Sequence, residues 1–174
     1  MKLRALVLVG SVLTATGAFA QGVTDPQIAS IVVTADQVDI DAGMVAEKMG
    51  HSSEVKKFGQ DMVKAHTGVN KSAVALVTRL KVTPEDNPTS MSLKKGGMEN
   101  VANLQMLKGA AFDKAYIDHE VAYHEQVLEA MDKTLIPGAK NDELKALLVS
   151  VRPAFAAHLA HAKHLQSTMM SSMN

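Results

Sequence analysis

Residues 52–80, SSEVKKFGQDMVKAHTGVNKSAVALVTRL, decide the fold class. Val55, Phe58, Met62, Val63, Val69, Ala73, Val77 and Leu80 recur at the three- and four-residue steps that gather side chains on one face of an α-helix. Ser52 supplies an N-cap oxygen, and no proline interrupts the run before Leu80. His66 stands at the centre of the apolar face. A helix with one hydrophobic stripe must bury it against other elements, and the rest of the chain offers partners of the same kind.

Upstream, Asp25-Pro26 reads as an N-cap followed by proline at the first helical position, opening a helix to about Met49 that Gly50 ends. Its stripe is Ile28, Ile31, Val32, Ala35, Val38, Ala42, Ala46 and Met49. Downstream, Pro84 and Pro88, with Asp86, Asn87, Thr89 and Ser90, predict a long loop over about 81–97 crossing one end of the molecule. A short helix from about Met98 to Leu107 follows, Gly109 breaks the chain, and a third main helix spans about Ala110 to Lys133. Ile136-Pro137-Gly138 reads as a turn, Asn141 as the cap of a fourth helix to about Ser167, and Pro153 as a kink within it. The expected architecture is all-α, an up-down four-helix bundle forming a single domain over 21–174, with its core at about 27–168 and residues 169–174 frayed.

Lys2 and Arg4, the apolar run Ala5–Leu13 and Ala18-Phe19-Ala20 have the order of a secretory signal peptide. Residues 1–20 are therefore expected to be removed after Ala20, giving a periplasmic or secreted protein; a retained anchor is the alternative. No later run approaches the roughly 18 apolar residues of a membrane span, so no stable span is expected after cleavage. Without residues 1–20 the charges stand at 16 basic against 18 acidic, which with two Tyr and four Phe argues against nucleic-acid partners. Cysteine is absent, which excludes disulfides and thiolate chemistry. Any metal must sit on His, carboxylate or Met.

Projected at about 100° per residue, every main helix carries ionisable residues within its apolar arc: Asp39 in the first, His66 in the second, Glu120 and His124 in the third, His158 in the fourth. Asp36 falls at a border, and His119, His161 and His164 lie toward flanks or outside. A buried carboxylate or imidazole is costly unless paired or bound, and bundle cores use inward carboxylates and imidazoles from facing helices to hold metal ions. Asp39, His66, Glu120, His124 and His158 are thus the candidate ligands of a divalent ion, with zinc, iron or copper suited to such donors. Counted from the turns, Asp39 and His66 differ in height by only about 6 Å, but His124 and His158 by about 12 Å. The competing reading pairs Asp39 with His66 and Glu120 with His158 in a metal-free ionic network. No Ser/His/Asp set, phosphate loop or H-E-x-x-H motif is present.

Glu54-Val55-Lys56-Lys57-Phe58 with Asp61-Met62-Val63 and His66-Thr67 forms the first of several marks of a family. Leu107-Lys108-Gly109 with Phe112-Asp113 and Tyr116-Ile117, then His124, then Arg152-Pro153 with His158-Leu159, are the others. Over about residues 27–168 the chain resembles the secreted bacterial family known as domain of unknown function 4142. The resemblance implies a ferritin-like four-helix bundle and no established reaction. It implies matching histidines at His66, His124 and His158, and an acidic position at Asp39, where Glu is more usual; Glu120 is not part of the pattern. Ferritin-type di-iron sites use Glu-x-x-His pairs, whereas Val63, Val121 and Phe155 stand three residues before these histidines. Ferroxidase chemistry is not carried over. The expected function is binding of one divalent ion in metal handling or envelope stress defence; the alternative is a metal-free structural or interaction module of the envelope. An oxidase or peroxidase would need an open coordination position and a substrate path, and the sequence shows neither.

Overall fold

The computed structural model describes residues 22–172. The signal peptide read over 1–20, with its cleavage after Ala20, lies outside the described residues, as do Met173 and Asn174. Five long helices make up most of the described residues: α1 (Asp25–Met49), α2 (Ser53–Leu80), α3 (Pro88–Met106), α4 (Gly109–Ala130) and α6 (Asp142–Ser172). A π turn (Met131–Leu135) and the single turn α5 (Ile136–Gly138) join the last two. The protein is all-α, with no strand among the described residues, and no described helix is long and apolar enough to cross a membrane.

Local chemistry accounts for the ends. Thr24, not Asp25, caps α1: its hydroxyl accepts from the Gln27 N–H, and Gln27 bonds back to the Thr24 N–H. The Asp25 carboxylate is thereby freed to accept the backbone N–H groups of Lys140 and Asn141, tying the start of α1 to the start of α6. Ser52 caps α2 and Asn141 caps α6, as their positions suggested. Gly109 opens α4 at φ +61, a left-handed conformation that glycine adopts without penalty. Pro153 lies inside α6 without ending it. That helix also outruns its expected end and continues to Ser172, into the tail expected to fray, because Leu165 is buried and Met169 packs on the core.

The main correction concerns residues 81–97. Pro88 occupies the first turn of α3, and Asn87 caps that helix, its side chain accepting from the N–H groups of Thr89 and Ser90. The expected loop shrinks to 81–87, and α3 lies along α1. Gly97 makes this approach possible, since a Cβ there would stand 2.6 Å from a Val38 methyl. With α3 on one side, α2 on another and α4 touching a third, α1 is buried nearly all round, including Ala29, Ile40 and Gly43.

Two large apolar clusters fill most of the interior, with a small third of Ala35, Val38 and Tyr123 beside them. One holds Ala42, Phe58, Met62, Phe112, Tyr116 and Ala162; the other holds Ile31, Leu76, Met131, Leu148 and Phe155. Helices α2 and α4 both run from the first cluster to the second, whereas α1 and α6 run the opposite way. Helix α3 carries the chain back between α2 and α4, so the four long helices that pack as α1–α2, α4–α6, α2–α6 and α1–α4 do not simply alternate. On each of those four, the ionisable residues of the apolar arc fall between the two clusters.

Helices α1 and α2 meet where glycines face each other: a Cβ on Gly59 would stand 2.8 Å from the Gly43 carbonyl oxygen, and one on Gly43 2.9 Å from that of Gly59. Gly59→Ala is expected to destabilise the protein by about 1–3 kcal/mol through overpacking. Gly68→Ala, on the exposed face of α2 with nothing within 4 Å of the added carbon, is expected to stabilise it by about 0.5–1 kcal/mol through helix propensity. Urea unfolding of the two variants beside the wild type checks both signs.

Candidate metal centre

The Gly43–Gly59 crossing brings α1 close enough to α2 for short side chains to span the gap. His66 lies about two turns along α2 from that crossing, and α1 offers it two carboxylates three residues apart. Its Nδ1 is 2.8 Å from Asp36 Oδ1, and its Nε2 is 3.0 Å from Asp39 Oδ2. On α4, His124 turns its Nδ1 back to the carbonyl oxygen of Glu120, 3.0 Å away. A carbonyl only accepts, so Nδ1 carries the proton, and Nε2 faces inward, 3.5 Å from Asp39 Oδ2. From α6, the His158 ring sits 5.3 Å from that of His66 and 5.5 Å from that of His124, centroid to centroid. Glu120 Oε2 is 3.5 Å from His124 Nδ1.

All five residues chosen from the sequence therefore converge. One ligand atom each from His66, His124 and His158 lies within 4.8 Å of the others, and the same holds for Asp39, Glu120 and His124. His124 belongs to both groups. The uncomfortable height of His158 resolves in the connection between α4 and α6. The π turn and α5 prolong the helical run to Gly138, so His124 and His158 lie 14 residues before that end and 17 after the Asn141 cap, about 5 Å apart in height. The paired network expected from sequence holds for Asp39 and His66 but not for Glu120, which sits against His124 one turn along its own helix and makes no ion pair with His158 among the described residues.

Asp36 was missed as a site residue. Its position at the border of the α1 arc concealed that α2 buries that border, where His66 meets its Oδ1; it is 1 % exposed. The D-x-x-D spacing of Asp36 and Asp39 was the available signal, since two carboxylates three residues apart can reach both nitrogens of one imidazole. His119 stacks on Tyr123 with centroids 5.6 Å apart, His161 packs edge-on against Phe58, and His164 is exposed.

Burial and mutual charge set the protonation of the cluster. Burial disfavours the His66 imidazolium, but Asp39 and Asp36 outweigh it and raise its pKa to about 9. Burial likewise works against an ionised Asp39, yet the neighbouring His66, His124 and His158 hold its carboxyl below the ordinary range. Glu120 is pushed well up, by burial and then by Asp39. His158 falls to about 4, through burial and the nearby His66 and His124. The donors are also short of partners. Both Asp39 oxygens, both Glu120 oxygens, His66 Nε2, His124 Nε2 and His158 Nδ1 are buried with no aligned hydrogen bond among the described residues. Buried polar atoms without an aligned hydrogen bond are rare in native proteins, and here seven meet in one layer, two of them, His66 Nε2 and Asp39 Oδ2, as an ion pair 3.0 Å apart. Their chemistry, imidazole nitrogen and carboxylate oxygen, fits a first-row divalent ion.

The family model described as Domain of unknown function (DUF4142) matches residues 11–165. The chain belongs to that family. No curated protein and no solved structure matches it.

In chelator, the two shifted histidines predict opposite limbs of stability against pH. His158, lowered from 6.5 to about 4, contributes stability that is present above pH 6.5 and is lost as pH falls toward 4. His66, raised from 6.5 to about 9, contributes stability that is complete below pH 6.5 and is lost as pH rises through 9. Melting temperatures between pH 4 and 10 should describe a dome, and His66→Gln should flatten its alkaline side.

Proposed function

We propose that this protein is an exported, ferritin-like four-helix bundle, with α3 as its crossover, that binds one divalent transition-metal ion in the polar layer for metal handling or envelope stress defence. Asp39, His66 and His124 supply the central donors, with His158 and Glu120 completing the set from the facing sides. The carrying observation is the spacing of the inward-facing donor atoms. Asp39 Oδ2 is 3.0 Å from one inward Nε2 and 3.5 Å from the other. Two ligands sharing an ion through bonds of about 2.1 Å are separated by about 3.0 Å at a right angle and about 3.4 Å at a tetrahedral one. The outer contacts support the same reading. Asp36 accepts from His66 Nδ1 and the Glu120 carbonyl from His124 Nδ1, which presents both Nε2 lone pairs inward, as metal-ligating histidines are commonly oriented.

The competing reading is a metal-free module in which a His66 imidazolium bridges Asp36 and Asp39, favoured by the raised pKa of His66. The two separate on ligand linkage. Metal that binds only the folded state raises stability by about 2.7 kcal/mol at a free concentration a hundredfold above Kd. Protein loaded with zinc, iron(II) or copper(II) in turn should therefore melt clearly lower after chelation. His158→Ala should remove most of that difference, and His164→Ala, on the exposed face of α6, should leave it intact. A melting curve indifferent to chelator after all three loadings favours the metal-free module.

Because the ion must displace the proton of His66, binding near neutral pH should release protons, and apparent affinity should climb about tenfold per pH unit from about 6.5 to about 9. Calorimetric titration in buffers of different ionisation enthalpy reads the proton count directly; zero release would contradict ligation by His66.

A further inference from the structure

Of the five donors in the polar layer, Asp39, His66, Glu120 and His124 are at most 1 % exposed. His158 alone is only half-buried, so an ion passing between water and the cluster displaces least structure by passing His158.

Helix α6 shows which side of His158 is open. At about 100° per residue, Arg152, Lys163 and Gln166 project on one flank of His158. They bond to Asp132, Glu125 and Asp118, so charged and polar bridges close the side toward α4. Glu143 and His161 project on the other flank, toward α2, where His161 packs on Phe58 with ring centroids 5.0 Å apart. Beside His158 that flank carries Ala154 and Ala157, both exposed. The antiparallel register set by Phe58 with His161 and His66 with Phe155 places half-buried Ala65 opposite them. Among the described residues the one ion pair across this seam, Arg79 with Glu143, lies toward its far end. Pro153 has no N–H to give the Val149 carbonyl, so α6 is held by one bond fewer just before His158. The other approach is shut. His119, 28 % exposed, covers Glu120 from the cleft between α3 and α4, but its ring stacks on Tyr123, whose hydroxyl donates to the Ala35 carbonyl.

We infer that the seam between α2 and α6 is the route by which a divalent ion reaches and leaves the cluster. His161, exposed at its edge, is the first ligand, and His158 is the ligand that swings to pass the ion inward. Imidazoles three residues apart on a helix are neighbours, and neutral imidazole is a common ligand for such ions. The ion can therefore gain a protein ligand before it loses its water. This inference rests on the metal reading of the cluster.

The test uses the full chain and zinc, iron(II) or copper(II), whichever raises the wild-type melting temperature most. Loading is timed by stopped flow, and extraction by an excess of chromogenic chelator. Ala157→Trp, which sets an indole over the seam from an exposed position, should slow both by the same factor, at least about tenfold, and leave the gain in melting temperature intact. His161→Ala should slow both several-fold, again with the gain intact, whereas His158→Ala removes the gain itself. Ser92→Trp, over the cleft between α3 and α4, should exchange metal like the wild type. Should Ala157→Trp fail to fold, Ala154→Trp covers the same flank. A wild type indifferent to all three ions ends the metal reading. Where the wild type binds, the route is overturned if the folded seam variant or His161→Ala exchanges the ion at the wild-type rate, or if Ser92→Trp is the variant that slows it.

Discussion

Everything in this protein is arranged around the need to keep carboxylates and imidazoles inside a core. An isolated buried charge costs several kcal/mol, so the side chains must find one another across helices with little freedom to miss. Asp36 and Asp39 are short and reach only a few ångströms beyond the α1 backbone. They meet both nitrogens of His66 because Gly43 and Gly59 let the two helices approach until carbonyl oxygens stand where Cβ atoms would otherwise lie. The glycine crossing and the buried ion pair are one device. Without the close approach, His66 would face a buried carboxylate it could not touch.

That device also explains the layering. Apolar clusters above and below the polar residues exclude water from them, which strengthens each interaction inside and makes each missing one more expensive. In such surroundings the four groups cannot all take their ordinary charge. His66 is driven toward imidazolium and Asp39 toward carboxylate, while Glu120 and His158 are driven neutral. A dication held among them would replace the His66 proton and satisfy the lone pairs that now face inward. On the proposed reading the same cluster would hold either a proton or a metal ion, with the balance between them set by pH.

Helix α3 gives the fold its asymmetry. By running along α1 it packs Gly97 against Val38, returns the chain so that α2 and α4 point the same way, and forms one side of an apolar cavity next to the cluster. The π turn after α4 makes a second adjustment. Together with α5 it lengthens the connection to α6 enough to bring His158 level with His66 and His124.

The sequence by itself determined the helical class, most helix ends and the five convergent residues, because each rests on short-range rules. Helical periodicity placed Asp39, His66, Glu120, His124 and His158 on inward arcs, and caps such as Ser52 and Asn141 act within three residues of themselves. Only the tertiary structure decided that the helix expected from about Met98 begins at Pro88. The proline, serines and glycines of 88–97 have the composition of a loop, and the helix gains its stability from packing Gly97 on Val38 and burying Leu104. Asp36 was hidden for a related reason, since it is buried against His66 of α2, thirty residues away in the chain. Periodicity reports which face of a helix is apolar; it cannot report how many neighbours that helix will have. The protonation of the cluster belongs to the same class, because it depends on distances between side chains from four helices that no single stretch of chain contains.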